Sequence, residues 1–488
     1  MPQPNLSTQR ARNLALALLA MTQFVVVIDA SIVNVALPSI GKALDFSQAD
    51  LSWVVNSYTL TFGGFLLLGG RLADYLGRRR VFMIGMALFA LASLAGGFAQ
   101  NETWLITARA IQGLGAAIAS PAALSIITTT FPEGQERNKA LGIWGAVAGA
   151  GGAAGVLLGG VLTQWAGWEW VLFVNVPIGA FIVWQAPKRL AESTSAEETD
   201  RTLDLPGAVT VSAGLALAVY AMVEATKVGW SSDQTIWSLV GAVALLSAFV
   251  IIELRTKKPL IPFSIFRLRT LRGANIVGIL IGMSLFSMFF MITLYLQQVL
   301  GDDALEAGVS YLPLAIAIIL SAGVSSALVT RVGFKNVLIV GMLFVAGGLV
   351  WFAQIQPGGS YAVDVLGPSI LAGIGLGASF VPVTIAAVTG TEPHEAGLAS
   401  GLINTSQQVG GALGLAILAS IANSSTSDAF KTGADKATAL TQGFADAFTV
   451  GAWFALAGAI LAAFLISSRD SRAHSEAARS GEAIPVAV

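Results

Sequence analysis

Two ionisable side chains lie inside long apolar segments of this chain, where a charge is expensive to place. Asp29 interrupts the run TQFVVVIDASIVNVALP (22–38), and Arg109 interrupts LITARAIQGLGAA (105–117). A charged side chain at the centre of a bilayer costs about 2.5–3.5 kcal/mol on insertion scales, so it usually faces a polar cavity or an ion path. An aspartate in such a place can take up a proton in one conformation and release it in another.

The depth of the two residues allows them to interact. Helical rise places Asp29 roughly 15 Å from the outer end of its segment and Arg109 roughly 10 Å from the outer end of its own. The levels differ by about one helical turn, so the side chains can pair if their helix faces meet. We expect Asp29 to carry a proton and Arg109 to modulate it. Asp29 has two alternative roles. It could belong to a static ion pair that holds helices together, or it could be the counter-ion of a cationic cargo.

The composition is that of a protein with many membrane spans. The 488 residues are 55% hydrophobic and 11% charged, with a mean hydropathy of +0.75 and a net charge of −1. Soluble domains carry about 25% charged residues. The smaller charged fraction here leaves long uncharged apolar runs, which are typical of membrane spans. The net charge gives no basic surface for nucleic acid. The sequence has no cysteine, which excludes disulfides, thiolate metal sites and cysteine nucleophiles.

Apolar runs long enough to cross a bilayer predict an all-α fold with fourteen spans. They lie near 13–40, 49–75, 80–100, 103–130, 138–163, 168–187, 205–226, 235–255, 271–299, 306–330, 336–355, 363–390, 397–422 and 447–467. Lysine and arginine concentrate in alternate loops and at both ends of the chain, so the positive-inside rule places both termini in the cytoplasm. We therefore expect a multi-pass protein of the plasma or inner membrane.

An internal repeat divides the spans into two groups. RLADYLGRRRVFMIGM (71–86) aligns without gaps with ALVTRVGFKNVLIVGM (327–342), and GLGAA (113–117) is similar to GLGAS (375–379). Such repeats are typical of transporters built from two related halves, here two six-helix bundles with two inserted helices. The predicted segments are the first bundle (1–187), a cytoplasmic linker (188–204), the inserted pair (205–256), a second linker (257–270), the second bundle (271–468) and a cytoplasmic tail (469–488).

Polar and aromatic side chains within the spans are candidates for a substrate cavity. Asn404, Gln407 and Gln408 share a helix face by their spacing, and MSLFSMFFMITLY (283–295) offers adaptable apolar surface. Interhelical hydrogen bonding and lipid-facing packing are the competing explanations. The candidate substrate-binding residues are Asp29, Asn34, Asn56, Tyr58, Asn275, Phe286, Phe290, Asn404, Gln407 and Gln408.

The sequence indicates neither catalysis nor nucleotide-driven pumping. It contains no GxxxxGK[ST] phosphate loop and no nucleophile–base–acid set. His394 and His474 lie outside the predicted spans, so no imidazole relay crosses the membrane. We expect a monomer without cofactor or metal, whose partners are protons, a small-molecule substrate and membrane lipid.

Several motifs carry a family resemblance. GGRLADYLGRRR (69–80), which follows the second span, resembles the signature loop of the major facilitator superfamily. DASIVNVALP (29–38), RAIQGLGAA (109–117) and GLASGLINTSQQVGGALG (397–414) are similar to motifs of its fourteen-span drug:proton antiporters, the EmrB/QacA type. The likeness covers nearly the whole chain and implies proton-coupled export of hydrophobic or amphiphilic drugs. An exporter of a lipid or an endogenous metabolite is the alternative.

The resemblance also implies roles for individual residues. Asp74 with Arg78 and Arg80 would form a charge cluster that latches the outward-facing state, and Arg109 would take part in proton coupling. The implied latch set is Gly70, Asp74, Gly77, Arg78 and Arg80, and the implied helix-packing set is Gly145, Gly149, Gly155, Gly159 and Gly160. Val156 stands where related exporters have proline.

Overall fold

The computed structural model describes residues 8–131, 135–192, 204–256, 259, 261–391 and 396–480. Within these ranges the regular structure is helical and no β-strand occurs, as the apolar runs predict. By their contacts the helices form two units. The first unit comprises Met1–Ala216 with Gly241–Leu260, and the second comprises Leu217–Val240 with Ile261–Val488.

The first unit contains the amino-terminal helices. They are α1 (Gln9–Ala43), α2 (Gln48–Leu51), α3 (Trp53–Leu76), α4 (Arg78–Gly97), α5 (Glu102–Thr130), α6 (Gln135–Trp165), α7 (Trp170–Phe173) and α8 (Asn175–Arg189). Two further helices, α9 (Leu205–Val228) and α10 (Asp233–Arg255), belong to it in part. Ser212 of α9 donates a hydrogen bond from Oγ to the carbonyl oxygen of Gly64 in α3 at 2.8 Å, which joins the start of α9 to α3 within this unit.

The second unit contains the carboxy-terminal helices. They are α11 (Arg269–Tyr295), α12 (Ala304–Ser310), α13 (Leu312–Val332), α14 (Phe334–Phe352), α15 (Leu366–Val388), α16 (Ala396–Lys431), α17 (Lys436–Leu465) and α18 (Ser468–Ser480). The last helix packs against the start of α14, where the backbone N–H of Lys335 donates to Ser471 Oγ at 3.1 Å. The segment predicted as a cytoplasmic tail (469–488) therefore begins as a helix that packs on α14.

Eleven of the described helices are long and apolar enough to cross a membrane, three fewer than the fourteen predicted spans. Some helices also differ from the predicted spans in length. α16 continues to Lys431, where an ion pair with Asp428 at 2.7 Å, three residues earlier, supports its last turn. The predicted span at 168–187 contains α7 and α8, which adjoin at Val174 and together form one helix long enough to cross a membrane.

Glycines of α6 allow α1 to approach closely. A Cβ atom built on Gly155 would meet Ser31 Oγ and would lie 2.8 Å from the carbonyl oxygen of Ile28, and one on Gly159 would lie 2.5 Å from that of Ile32. Both distances are shorter than ordinary van der Waals contact, so neither position accepts a side chain without movement of α1. The two glycines thus set the position of the α1 segment that carries Asp29.

Helix α5 packs closely against both α3 and α4, and glycines again allow the approach. A Cβ on Gly113 would collide with the carbonyl oxygen of Tyr58 in α3. A Cβ on Gly115 would lie 2.5 Å from the backbone nitrogen of Phe89 in α4. This spacing brings the α5 turns just before Gly113 against both neighbours.

The internal repeat is visible in the packing of both units. A Cβ on Gly115 would lie 2.9 Å from the carbonyl oxygen of Gly85, and one on Gly375 would lie 2.7 Å from that of Gly341. Gly85 and Gly341 are partners in the repeat alignment, so Gly115 corresponds to Gly375. The pairing of GLGAA with GLGAS in the sequence is therefore wrong by two residues, because short glycine-rich strings match in more than one register.

The α1–α6 contact predicts a specific sensitivity to a single methyl group. Gly155→Ala should destabilise the protein by about 1–3 kcal/mol, since the added methyl meets the backbone of α1. Gly152→Ala, on the same helix, is the matched control, because a Cβ there has nothing within 4 Å. Its effect should be neutral or stabilising, as alanine favours helix more than glycine. Melting temperatures in detergent measure both, and equal melting of the two variants would contradict the contact.

Candidate functional site

Asp29 of α1 is held by three side chains that donate hydrogen bonds to its carboxylate. Arg109 Nη1 donates to Oδ2 at 2.6 Å, which is also an ion pair. Gln112 Nε2 and Asn175 Nδ2 both donate to Oδ1, each at 2.7 Å. The donors come from α5 and α8, so the faces of α1 and α5 that carry Asp29 and Arg109 meet, which the sequence left open, and two further partners join the pair.

A second layer of bonds fixes these donors. Ser93 Oγ of α4 accepts from Gln112 Nε2 at 3.0 Å and from Asn175 Nδ2 at 3.1 Å. The same hydroxyl donates to the carbonyl oxygen of Leu172 in α7 at 2.8 Å. The serine therefore ties the two amides together and connects them to the backbone beside α8.

The guanidinium of Arg109 has partners besides Asp29. Its Nε donates to the carbonyl oxygen of Val54 at 3.1 Å, and Nη1 donates to Gln112 Oε1 at 2.7 Å. The guanidinium carbon lies 4.3 Å from the ring centre of Tyr58, a cation–π distance. Arg109 thus keeps favourable contacts with α3 and with its own helix when Asp29 is set aside.

The whole network is closed to solvent. The side chains of Asp29, Ser93 and Asn175 are 0% exposed, and those of Arg109 and Gln112 are 1% exposed. A buried ion pair is favourable only when the remaining polar atoms find partners, and loss of one partner costs about 3–5 kcal/mol. The arrangement can therefore hold an ionised carboxylate away from water. It can also respond strongly to a proton, since a neutral Asp29 no longer balances Arg109.

The sequence identified the charged pair but not its neutral partners. Gln112 lies three residues after Arg109 on the same helix face, a spacing that could have revealed it. Ser93 and Asn175 are single polar residues in apolar helices and carry no such signal. Asn34, the amide on α1 among the substrate-binding candidates, does not join this network. Its Nδ2 donates to the carbonyl oxygens of Ala30 and Ser31 in its own helix, at 3.2 and 3.3 Å.

Two α3 candidates lie near the network without bonding to Asp29. Tyr58 stacks against Arg109, and its hydroxyl donates to the carbonyl oxygen of Val26 at 3.3 Å. Asn56 is 0% exposed, and both polar atoms of its amide have no hydrogen-bond partner among the described residues. Neither side chain reaches an open cavity in this conformation.

The candidates of the second unit form a separate polar contact. Asn275 Nδ2 donates to the carbonyl oxygen of Leu271 at 2.9 Å, and its Oδ1 accepts from Ser406 Oγ at 2.8 Å, which joins α11 to α16. Phe290 is buried. Phe286 is half-buried, and its ring packs on Gly411. Of the α16 candidates, Asn404 is exposed, and Gln407 and Gln408 are half-buried.

The loop between α3 and α4 is stabilised by a residue outside the predicted latch set. The backbone N–H of Arg79 donates to Glu192 Oε1 at 3.0 Å, and its Nη1 donates to the carbonyl oxygen of Leu190 at 3.1 Å. Gly77, which the set contains, has a φ of 103°, a left-handed value that favours glycine. Among the other members, Gly70 and Arg78 are half-buried, Arg80 is exposed, and the side chain of Asp74 lies outside the described part.

The repeat counterpart of Arg79 is bonded in the same way. Lys335 aligns with Arg79, and its backbone N–H donates to Ser471, just after the last long helix of the second unit. The segment after α8 in the first unit and the segment after α17 in the second thus make equivalent contacts with their loops.

The predicted packing glycines Gly145, Gly149 and Gly160 lie on α6 with Gly155 and Gly159.

Comparison with known proteins agrees with this architecture. The family model described as Major Facilitator Superfamily matches residues 19–415. The cephamycin export protein CmcT of Amycolatopsis lactamdurans is 41% identical, over 92% of this chain and 91% of that protein. The puromycin resistance protein pur8 of Streptomyces alboniger is 38% identical, over 94% of this chain and 92% of that protein. The tetracenomycin C resistance and export protein of Streptomyces glaucescens is 35% identical, over 84% and 76%.

Solved structures share the fold at low sequence identity. A bacterial homologue of the human lysosomal transporter Spinster, in an inward-facing and occupied conformation, matches with a TM-score of 0.64 at 16% identity, over 95% of this chain and 99% of that chain. An auto-inhibited peptide transporter of the POT family matches with a TM-score of 0.67 at 15% identity, over 93% and 96%.

The ion pair predicts strong coupling between its two members. Arg109→Leu should destabilise the protein by about 3–5 kcal/mol, because the carboxylate of Asp29 stays buried without its cation. The double variant Asp29→Asn with Arg109→Leu should recover part of that loss, since the uncompensated charge is gone. Melting temperatures in detergent of both single variants and the double variant give the coupling energy. Strictly additive effects would show that the pair contributes nothing as a pair.

Proposed function

Because this chain belongs to the Major Facilitator Superfamily, we propose that it is a proton-coupled antiporter that exports hydrophobic or amphiphilic drugs, antibiotics included. Family membership makes it a multi-pass membrane transporter rather than an enzyme. The observation that carries the proton coupling is the Asp29–Arg109 pair, an ionisable pair sealed within an apolar helix bundle. Ionisable residues within membrane spans mark functional sites, of which proton relays are one class.

The relatives support the drug class of the substrate. Three proteins that match most of this chain are named for the export of, or resistance to, cephamycin, puromycin and tetracenomycin C. The names specify three different compounds, and we propose a cavity that accepts amphiphilic molecules loaded from the cytoplasm or the inner leaflet. An exporter of a single endogenous metabolite is the second candidate, favoured by the fact that each name specifies one compound.

The proton cycle follows from the contacts of Arg109. In the conformation with Asp29 ionised, the pair is closed and dry. A proton from the outside neutralises Asp29, and Arg109 then relies on the Val54 carbonyl, Gln112 and the Tyr58 ring, which already hold it. The change weakens the attraction between α1 and α5 and allows the helices to rearrange. Release of that proton to the cytoplasm would accompany substrate loading.

The closed network separates the proton from the substrate. Asp29 has no exposed atom, so a cargo molecule would need another conformation to reach it. We therefore propose that Asp29 is the residue that binds and releases the proton, and that substrate contacts come from other residues. One charge moved through about 100 mV contributes about 2.3 kcal/mol, enough for roughly fiftyfold accumulation.

We further propose the fourteen-span EmrB/QacA arrangement with both termini in the cytoplasm. Eleven helices meet the length and composition of a span. The helices α3, α6 and α9, with 24, 31 and 24 residues, coincide with the three remaining predicted spans. The lysines and arginines in alternate loops support the orientation, with the proton gradient across the cell membrane as the only energy source.

Asp29→Asn tests the proposal, because it keeps the shape of the side chain and removes its charge. Efflux of ethidium or puromycin from an efflux-deficient host, and uptake into everted vesicles with an imposed pH gradient, should fall to the background level. Asp428→Asn is the matched control, since Asp428 is exposed and forms an ion pair with Lys431, three residues away on the same helix. Full gradient-driven uptake by folded Asp29→Asn protein would refute proton coupling through this residue.

A further inference from the structure

Asn175, the first residue of α8, has an amide with one bonded end and one unbonded end. Its Nδ2 donates to Asp29 Oδ1 and to Ser93 Oγ, at 2.7 and 3.1 Å. Its Oδ1 is buried and has no hydrogen-bond partner among the described residues. A buried acceptor without a donor is unfavourable. In a network where nearly every other polar atom is paired, this oxygen requires an explanation.

The other amide of the network contrasts with Asn175. Gln112 accepts from Arg109 at Oε1 and donates from Nε2 to Asp29 and Ser93, so both of its ends are engaged. A half-turn of the Gln112 amide would place its NH₂ group against the guanidinium. A half-turn of the Asn175 amide breaks the two bonds that its Nδ2 donates but none at its oxygen, and Ser93 keeps its bond from Gln112. Of the two amides, Asn175 is the one that can exchange donor for acceptor.

We infer that Asn175 is a positioning residue that adapts to the protonation state of Asp29 by a half-turn of its amide. With Asp29 ionised, Nδ2 donates to Oδ1, as in this structure. When a proton from water binds Oδ1, the carboxyl becomes a donor, and the turned amide accepts that hydrogen through the oxygen that is now unpaired. The proton then sits on Oδ1, on the side away from the Arg109 contact at Oδ2. The inference rests on the proposed proton coupling at Asp29.

Few groups around Asp29 could accept a hydrogen bond from its protonated carboxyl. Among the described residues, the titratable or charged side chains that face Asp29 are Arg109 of α5 and Tyr58 of α3. The helices α4 and α8 present neutral groups, and α6 packs on α1 through glycines. Arg109 can only donate, and the Tyr58 hydroxyl bonds to the Val26 carbonyl and not to Asp29. Of the groups that bond to Asp29, Asn175 is the one with a buried acceptor that has no partner among the described residues.

Removal of the amide should change the proton affinity of Asp29. Asn175→Leu deletes a bond to each form of the carboxyl group, but the bond to the ionised form is charge-assisted and about twice as strong. The ionised form loses more, so the midpoint of Asp29 protonation should move upward by about one pH unit, a tenfold change in affinity. The carbonyl stretch of the protonated acid should also move to higher frequency, since its hydrogen-bond acceptor is gone.

Infrared difference spectroscopy of the purified full chain measures both quantities without a substrate. The band of protonated Asp29 is the one that Asp29→Asn removes, and its midpoint is titrated in wild type, Asn175→Leu and Asn175→Gln. The glutamine variant retains an amide and should stay nearer to wild type. Asn336→Leu is the control, since Asn336 is exposed and bonds to the carbonyl oxygen of Val332. If the leucine variant does not fold, Asn175→Ala carries the same expectation.

The outcomes separate the inference from the proposed function. A titrating Asp29 band with the same midpoint and frequency in wild type and Asn175→Leu would overturn the role of Asn175 and leave proton coupling intact. A spectrum in which Asp29→Asn removes no titrating band would overturn the proton coupling itself. An upward shift confined to the Asn175 variants that lack the amide supports the inference.

Discussion

The ion pair between Asp29 and Arg109 is the interaction on which the first unit depends. Two opposite charges in a dry helix bundle are tolerated only when the remaining lone pairs and N–H groups also find partners. Gln112, Asn175 and the Val54 carbonyl supply them. The helices α1, α3, α5 and α8 must therefore stay at distances that keep these bonds near 3 Å. The charge chemistry and the architecture constrain each other.

Glycine provides those distances. Gly155 and Gly159 allow α1 to lie directly on α6, and Gly113 and Gly115 allow α5 to lie on α3 and α4. In a bilayer, helices associate largely through close packing, because lipid tails are as apolar as the side chains. A larger residue at any of these positions would separate the helices and lengthen the bonds of the network. The small residues that look featureless in the sequence thus determine the geometry of the site.

What the sequence predicted follows the physics of insertion. The all-α fold, the repeat and the two deep charges were predictable, since apolar length and the cost of a buried charge are properties of single segments. Which helix faces meet is a property of the packed bundle, so Ser93 and Asn175 were not found. Asn34 and Asn175 look alike in the sequence, yet the first bonds to its own helix and the second to Asp29. Arg79 was missed because its partner Glu192 is 113 residues away.

The two units share the same glycine contacts between helices, but only the first has the buried ion pair among its described residues. The contact of Gly85 with Gly115 recurs as that of Gly341 with Gly375, and in that register the counterpart of Arg109 is Ser369, which is also buried. Among the described residues of the second unit, Asp364 is the only charged side chain that is buried, and it accepts a hydrogen bond from the backbone N–H of Ser360 in the same short segment. Within the described residues, a buried aspartate–arginine pair therefore occurs in the first unit alone. With one carboxyl, the Asp29 network offers one site for a proton, and a proton cycle of the proposed kind would use that site.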